Sequence, residues 1–284
     1  MYYKISDLVV EIDGCSENMK SCLTEYMLPL QQEREHICHS GIFIHKLDEI
    51  DVPQGKQFGE LGKWKLVEDC EKKKIYRPLN GFEDVASARI DFSENRADIS
   101  LLSFEEDDIK MRDMIYSGHA FGQLMLNFNR MVVHSSCISV NGKAILFSAP
   151  SGTGKSTHTA LWKEYVSGTE YINDDTPVIR LDKTDEVLAC GSPWSGKTRL
   201  NNNISAPLCG IVFLERGTKN QIMPMSGVEA MGRLVGECRK FPYRDSVGQA
   251  AKLCMQLLKR VPVYRLACDI SYEAVETVRK ELLL

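Results

Sequence analysis

Apolar positions along the chain follow two periods, and the change between them divides it. Short apolar runs bounded by turn residues predict strands at Leu8-Val9-Val10-Glu11-Ile12, closed by Asp13-Gly14, and at Gly41-Ile42-Phe43-Ile44-His45. Ala86 to Ile99 reads as a hairpin. Ala88-Arg89-Ile90-Asp91-Phe92 alternates, Ser93-Glu94-Asn95 turns, and Ala97-Asp98-Ile99-Ser100-Leu101 returns. A helical period then takes over. Met111, Met114, Ile115, Gly118, Phe121, Met125 and Phe128 recur at three- and four-residue steps, predicting a helix from about Asp108 to Phe128 with that stripe buried. The acidic Glu105-Glu106-Asp107-Asp108 falls at its start, where a solvated first turn favoured by the helix dipole is a stronger reading than a metal site.

The next apolar stretch, Met131 to Val140, is expected to pair with Lys143-Ala144-Ile145-Leu146-Phe147 across Asn141-Gly142, the strongest hairpin signal in the chain. That second strand runs into Ser148-Ala149-Pro150-Ser151-Gly152-Thr153-Gly154-Lys155-Ser156-Thr157, after which Thr157 to Tyr165 reads as helix. Strand, glycine-rich turn, Lys-Ser and helix is the arrangement of a phosphate-binding loop. Gly152 and Gly154 let backbone N–H groups crowd a polyphosphate without Cβ clashes, and the new helix aims its positive end at the same anion. Lys155 would reach the β/γ-phosphates and the Ser156 hydroxyl would hold Mg²⁺. Ala149 stands where the first glycine of the usual pattern falls.

Nineteen residues after that lysine lies Tyr171-Ile172-Asn173-Asp174-Asp175-Thr176-Pro177-Val178-Ile179. Two adjacent carboxylates at a strand end can divide labour, one coordinating Mg²⁺ and the other accepting a proton; a plain turn is the competing reading. Ser192-Pro193-Trp194-Ser195-Gly196-Lys197-Thr198 lacks phosphate-loop spacing and reads as a turn bordering the site. Leu208 to Leu214 is a buried strand, Ser226-Gly227-Val228-Glu229 a capping box opening a helix, and Ser246-Val247-Gly248-Gln249 a second helix start. Val261 to Leu266 is a strand with proline near its beginning, and a helix over about Tyr272 to Leu283 follows.

Composition narrows the class. At 284 residues, 43% hydrophobic and 26% charged, the chain suits a soluble globular protein of one large domain or two smaller ones. No run approaches about 18 apolar residues, so no membrane helix is expected. The opening Met1-Tyr2-Tyr3-Lys4-Ile5-Ser6-Asp7 has no secretion-signal pattern. A net charge of −4 gives no electrostatic reason to expect nucleic acid. Ten scattered cysteines without a C-x-x-C pair suit reduced thiols and a cytoplasmic location. Cys38, His39 and His45 lack a fourth ligand, which favours structural roles over a metal site.

His134 ahead of the Val-Asn-Gly-Lys-Ala-Ile-Leu-Phe hairpin, the Ser151-Gly152-Thr153-Gly154-Lys155-Ser156-Thr157 loop and the Asp174-Asp175 pair together resemble the HPr kinase/phosphorylase family. The loop is also similar to that of ATP-type phosphoenolpyruvate carboxykinases. The resemblance covers roughly residues 130–270. It implies an α/β (α+β) fold with a mixed-sheet phosphate-loop core, placed over 111–284; residues 1–110 lie outside the resemblance, and their strand pattern reads as a smaller β-rich N-terminal domain, with a boundary loosely near 105–130. It implies ATP- and Mg²⁺-dependent transfer to a serine hydroxyl of a protein or a ribosomally made precursor peptide. Ser151 to Thr157 would bind ATP, with Ser156 and Asp175 on Mg²⁺, Asp174 as base, Lys155 on the phosphates and His134 close to the transferred group. The Arg-Gly signature of HPr kinases and its carboxylate are missing, so HPr itself is not the expected acceptor. Free serine as acceptor and a non-catalytic, nucleotide-gated regulator are the alternatives. Neither a nucleic acid nor a membrane partner is expected, and homo-oligomer formation stays open.

Overall fold

A computed structural model describes residues 1–29, 37–69, 72–82, 84–103, 106–181 and 186–284; Glu105 of the acidic run lies outside them. The protein is mixed α/β, and both of its sheets combine parallel and antiparallel strands. It divides into two compact units, residues 1–127 with 240–243, and residues 128–239 with 244–284. The helix expected to open the second unit therefore belongs to the first.

The first unit is one eight-stranded sheet. Its strands are β1 Tyr2–Ile5, β2 Leu8–Asp13, β3 Ser40–Leu47, β4 Lys56–Leu61, β5 Trp64–Asp69, β6 Lys72–Pro78, β7 Ala86–Ser93 and β8 Arg96–Leu102. They lie in the order β1-β2-β3-β8-β7-β6-β5-β4, with β3 parallel to both β2 and β8. Helix α1 is Glu17–Leu23 and α2 is Glu106–Met125.

In α2 the predicted stripe is buried at Phe121 and Met125 but not at Met111 and Ile115, and polar residues join the buried face. Met111 and Ile115 are 62% and 46% exposed, whereas Asp113, Tyr116, Ser117, Ala120, Phe121, Leu124 and Met125 are buried or nearly so. Asp113 and Tyr116 are tied down on that face, although Asp113 Oδ1 is buried with no hydrogen-bond partner among the described residues. Asp113 Oδ2 accepts the Ser16 N–H at 2.8 Å ahead of α1, and the Tyr116 hydroxyl accepts from Arg77 Nη1 at 3.2 Å. A polar group that keeps a hydrogen bond is buried at a smaller desolvation cost than a hydrophobic template assumes. The helical period was right, and its stripe holds in the C-terminal half of the helix, at Phe121 and Met125, but not at Met111 and Ile115.

The second unit carries the rest: β9 Arg130–Val132, β10 Ser136–Val140, β11 Lys143–Ser148, α3 Lys155–Tyr165, β12 Thr169–Asn173, β13 Val178–Arg180, β14 Leu188–Cys190, β15 Ser205–Arg216, β16 Gln221–Pro224, α4 Gly227–Glu237, α5 Arg244–Leu258, β17 Val263–Cys268 and α6 Tyr272–Leu282. Strands β12-β10-β11-β15-β14-β13-β9 form a continuous path, and β17 and β16 are attached through β15. Strand β11 pairs antiparallel with β10 and parallel with β15, so the glycine-rich turn hangs from a strand of a mixed sheet. The β10–β11 hairpin closes at Asn141-Gly142, with φ of 49° and 79°, both in the left-handed region that a two-residue turn of this kind needs.

Ala144 to Ser148 are all buried, as expected of a strand covered on both faces. Ile145 and Phe147 pack with Trp162 of α3 and with Val275 and Val278 of α6 in one apolar cluster. Trp162 is fully buried, its ring centroid 5.8 Å from that of Phe147. Truncating a side chain of this size typically costs about 3–5 kcal/mol, so this contact fixes the helix under the turn.

Two sequence expectations need correction here. The Met131–Val140 run is not one strand: it breaks at Val133 to Ser135, between β9 and β10. The break is clamped by the end of α4, through His134 N–H to the Glu237 carbonyl at 2.9 Å and Arg239 N–H to the Val132 carbonyl at 2.8 Å. Helix α5 starts at Arg244, ahead of Ser246, which is itself buried rather than a solvated cap. No described helix is long and apolar enough to cross a membrane.

Candidate functional site

Strand β11 ends at Ser148, and the chain turns through residues 149–154 into α3. Gly152 and Gly154 hold φ of 78° and 115°, conformations costly for any residue with a Cβ. A Cβ built on either would meet no atom within 4 Å, so open space faces the backbone of this turn. Helix α3 has no side-chain cap. Its first-turn N–H groups therefore concentrate the positive end of the helix dipole at the turn. Ser156 and Thr157 are exposed there, while Lys155 is 9% exposed.

Lys155 Nζ donates to the Ala149 carbonyl at 2.8 Å, and Thr153 N–H to the Pro150 carbonyl at 3.2 Å, so the turn is closed on itself. Burial pushes the Lys155 ammonium below its ordinary value. Glu237 opposes that shift most strongly, then Asp175, with Asp174 weaker still, while Arg239 reinforces it. One buried lysine thus senses the carboxylates of the Asp174–Asp175 pair and one from the end of α4.

The acid pair sits just past β12 and is set by Asn173. The Asn173 Oδ1 accepts the N–H groups of Asp175 at 2.9 Å and Thr176 at 2.6 Å. Its Nδ2 donates to the carbonyls of Ser192 at 2.8 Å and Trp194 at 3.0 Å. The turn-forming tendency of Asn and the paired carboxylates are therefore complementary features of one loop. Gly196, at φ 63°, lies against Asp175: a Cβ there would come within 3.1 Å of the Asp175 Cβ. The Ser192–Thr198 turn accordingly borders the site, as its sequence position suggested.

The two carboxylates are in different surroundings. Asp174 is 5% exposed; its Oδ1 accepts from the Ser136 hydroxyl at 2.6 Å, and its Oδ2 is buried with no hydrogen-bond partner. Ser136 Oγ also lies 3.1 Å from Thr159 Oγ1, itself on the Lys155 and Ser156 carbonyls of α3. Asp175 is partly exposed, with Oδ1 3.5 Å from His134 Nε2 and Oδ2 3.6 Å from Arg239 Nη2. His134 Nδ1 faces Glu237 Oε2 at 3.1 Å, so each ring nitrogen looks at a carboxylate.

Of the residues singled out from sequence, the structure brings His134 to Asp175 and sets Lys155 in the field of both aspartates. Ser136, Thr159, Asn173, Glu237 and Arg239 were missed. Asn173 was visible as a turn former beside the pair. Glu237 and Arg239 come from the far end of a helix whose sequence carries no site signal.

The family model described as SynChlorMet cassette protein ScmC matches residues 99–283, well over half of the chain. No curated protein matches. Among solved structures, the chain is similar to the Hpr(Ser) kinase/phosphatase from Coxiella burnetii at 10% identity, over 54% of this chain and 96% of that one, with a TM-score of 0.32.

Proposed function

We propose that this chain, which belongs to the SynChlorMet cassette protein ScmC family, is an ATP- and Mg²⁺-dependent phosphotransferase acting on a serine hydroxyl of a protein or precursor peptide. The observation that carries the reading is the Asp174 carboxylate. One oxygen is anchored by Ser136 and the other is buried without a partner, beside a glycine-rich turn with open space over its backbone. An acceptor-only oxygen left bare in the interior costs free energy unless a donor arrives to fill it.

The residues fit the group. The backbone of Ser151 to Thr157, the α3 N-terminus and Lys155 would hold the phosphates of ATP, Lys155 exchanging the Ala149 carbonyl for a phosphate oxygen. The exposed Ser156 hydroxyl and Asp175 would hold Mg²⁺, which supplies neutralising charge at the phosphates. Among the described residues the Asp175 carboxylate meets His134 at 3.5 Å and Arg239 at 3.6 Å, beyond good hydrogen-bond distance, so its lone pairs are open to a metal. Asp174 Oδ2 would accept the proton of the acceptor hydroxyl. The serine oxygen then bonds to the γ-phosphorus as the bond from that phosphorus to the β,γ-bridging oxygen breaks, and ADP departs. His134, held between Asp175 and Glu237, would border the transferred group.

The test is calorimetric titration of Mg·ATP into the wild type and Lys155→Ala, followed by incubation with ATP and either a serine-peptide library or free serine. Binding by the wild type alone, with phosphoserine formed in the library, supports the reading. Transfer to free serine only would move the acceptor to a small molecule. Binding without any transfer would leave a nucleotide-gated regulator.

A further inference from the structure

Strands β11 and β15 run parallel with Ser148 opposite Phe213. The chain leaves β11 for the glycine-rich turn at that level, while β15 continues for three more residues and ends at Arg216. The sheet register therefore carries an arginine up beside the turn. Its guanidinium crosses to the turn, where Nη2 donates to the Gly152 carbonyl at 3.0 Å.

Arg216 is exposed, and no described carboxylate lies within ion-pair distance of it. The neighbouring Glu215 is engaged elsewhere, with Arg233 Nη2 at 2.7 Å. One of the five N–H donors of a guanidinium is thus spent on a neutral carbonyl, which aims the group without cancelling its charge. The space over Gly152, the residue it holds, is open. A planar cation with spare donors, fixed at the rim of an unfilled turn, matches the bidentate geometry of a phosphate.

Resting on the nucleotide reading above, we infer that Arg216 is a phosphate-binding residue of the same site, a second cation acting with Lys155 on the polyphosphate. The competing role is a strap that only pins the turn through the Gly152 carbonyl. The two differ in what charge does. Glutamine can still donate to a carbonyl but brings no charge, whereas lysine keeps the charge and loses the fork.

The experiment is calorimetric titration of sodium tripolyphosphate, and separately of ATP, into wild type, Arg216→Gln, Arg216→Lys and Lys155→Ala, with thermal unfolding of each protein alone. Arg216→Gln should unfold at the wild-type temperature and bind tripolyphosphate at least about tenfold more weakly, with Arg216→Lys recovering part of the loss. Wild-type affinity in Arg216→Gln, with binding lost in Lys155→Ala, would overturn this inference and leave the nucleotide site standing. Should the wild type bind neither probe, the nucleotide reading and this inference fall together.

Discussion

The Ser136 hydroxyl lies 2.6 Å from Asp174 Oδ1, while Oδ2 of the same carboxylate is buried and bare. One residue in β10 thereby engages one oxygen of Asp174 and leaves the other unmet. Ser136→Ala would strand Oδ1 as well, in a place with no solvent to replace the lost donor. The expected cost is about 1–3 kcal/mol of folding stability, the range for leaving a buried acceptor unmet, and denaturant unfolding would measure it.

Gly196 makes a second prediction. At φ 63° and with Asp175 in the path of any Cβ, Gly196→Ala must strain its own backbone and push the aspartate. The backbone penalty alone is about 1–2 kcal/mol. The variant should lose stability by about that amount and, if Asp175 serves Mg²⁺, need more Mg²⁺ for half-maximal ATP binding. Stability loss with an unchanged Mg²⁺ requirement would separate Asp175 from the metal.

His158 predicts a pH effect on folding of the ligand-free protein. Burial pushes its imidazole down to about 4 from the usual 6.5, and its Nε2 accepts from Trp162 Nε1 at 3.1 Å. Between these values the unfolded chain binds a proton that the folded chain refuses. Stability is therefore complete above about pH 6.5 and falls as the pH drops towards 4, by about 3 kcal/mol in all. His158→Phe should flatten that slope in unfolding measurements at several pH values. An unchanged slope would assign the acid sensitivity to other groups.

How much of this was legible in the sequence depended on how local each feature is. The Asn141-Gly142 hairpin, the turn into α3 and the Ser226 cap of α4 rest on neighbouring residues, and all three appear where the pattern placed them. Only the N-terminal half of the α2 stripe failed, because Asp113 and Tyr116 take the buried positions there, tied to Ser16 and Arg77 far away in sequence. Strands β4, β5 and β6 escaped notice because charged and polar residues, with Gly59, leave them no sustained apolar pattern. At the site, Asp174 and Asp175 stood out as a pair, but what distinguishes them did not. Ser136 lies 38 residues from Asp174 in sequence, and Glu237 lies 103 from His134. Contacts of that separation are made by sheet register, which no local pattern records.

Asp174 and Asp175, adjacent in sequence, are assigned different work, and a comparison of two variants separates them. Mg·ATP affinity and single-turnover transfer to a serine peptide would be measured for wild type, Asp174→Asn and Asp175→Asn. Asp174→Asn should keep near-normal Mg·ATP affinity with transfer slowed about 10²–10⁴-fold, the usual cost of removing a general base. Asp175→Asn should instead raise the Mg²⁺ requirement, because a hard oxygen ligand has lost its charge. Wild-type transfer by Asp174→Asn would rule out Asp174 as the base, and a loss of Mg²⁺ binding in Asp174→Asn with chemistry intact at saturating metal would reverse the two roles.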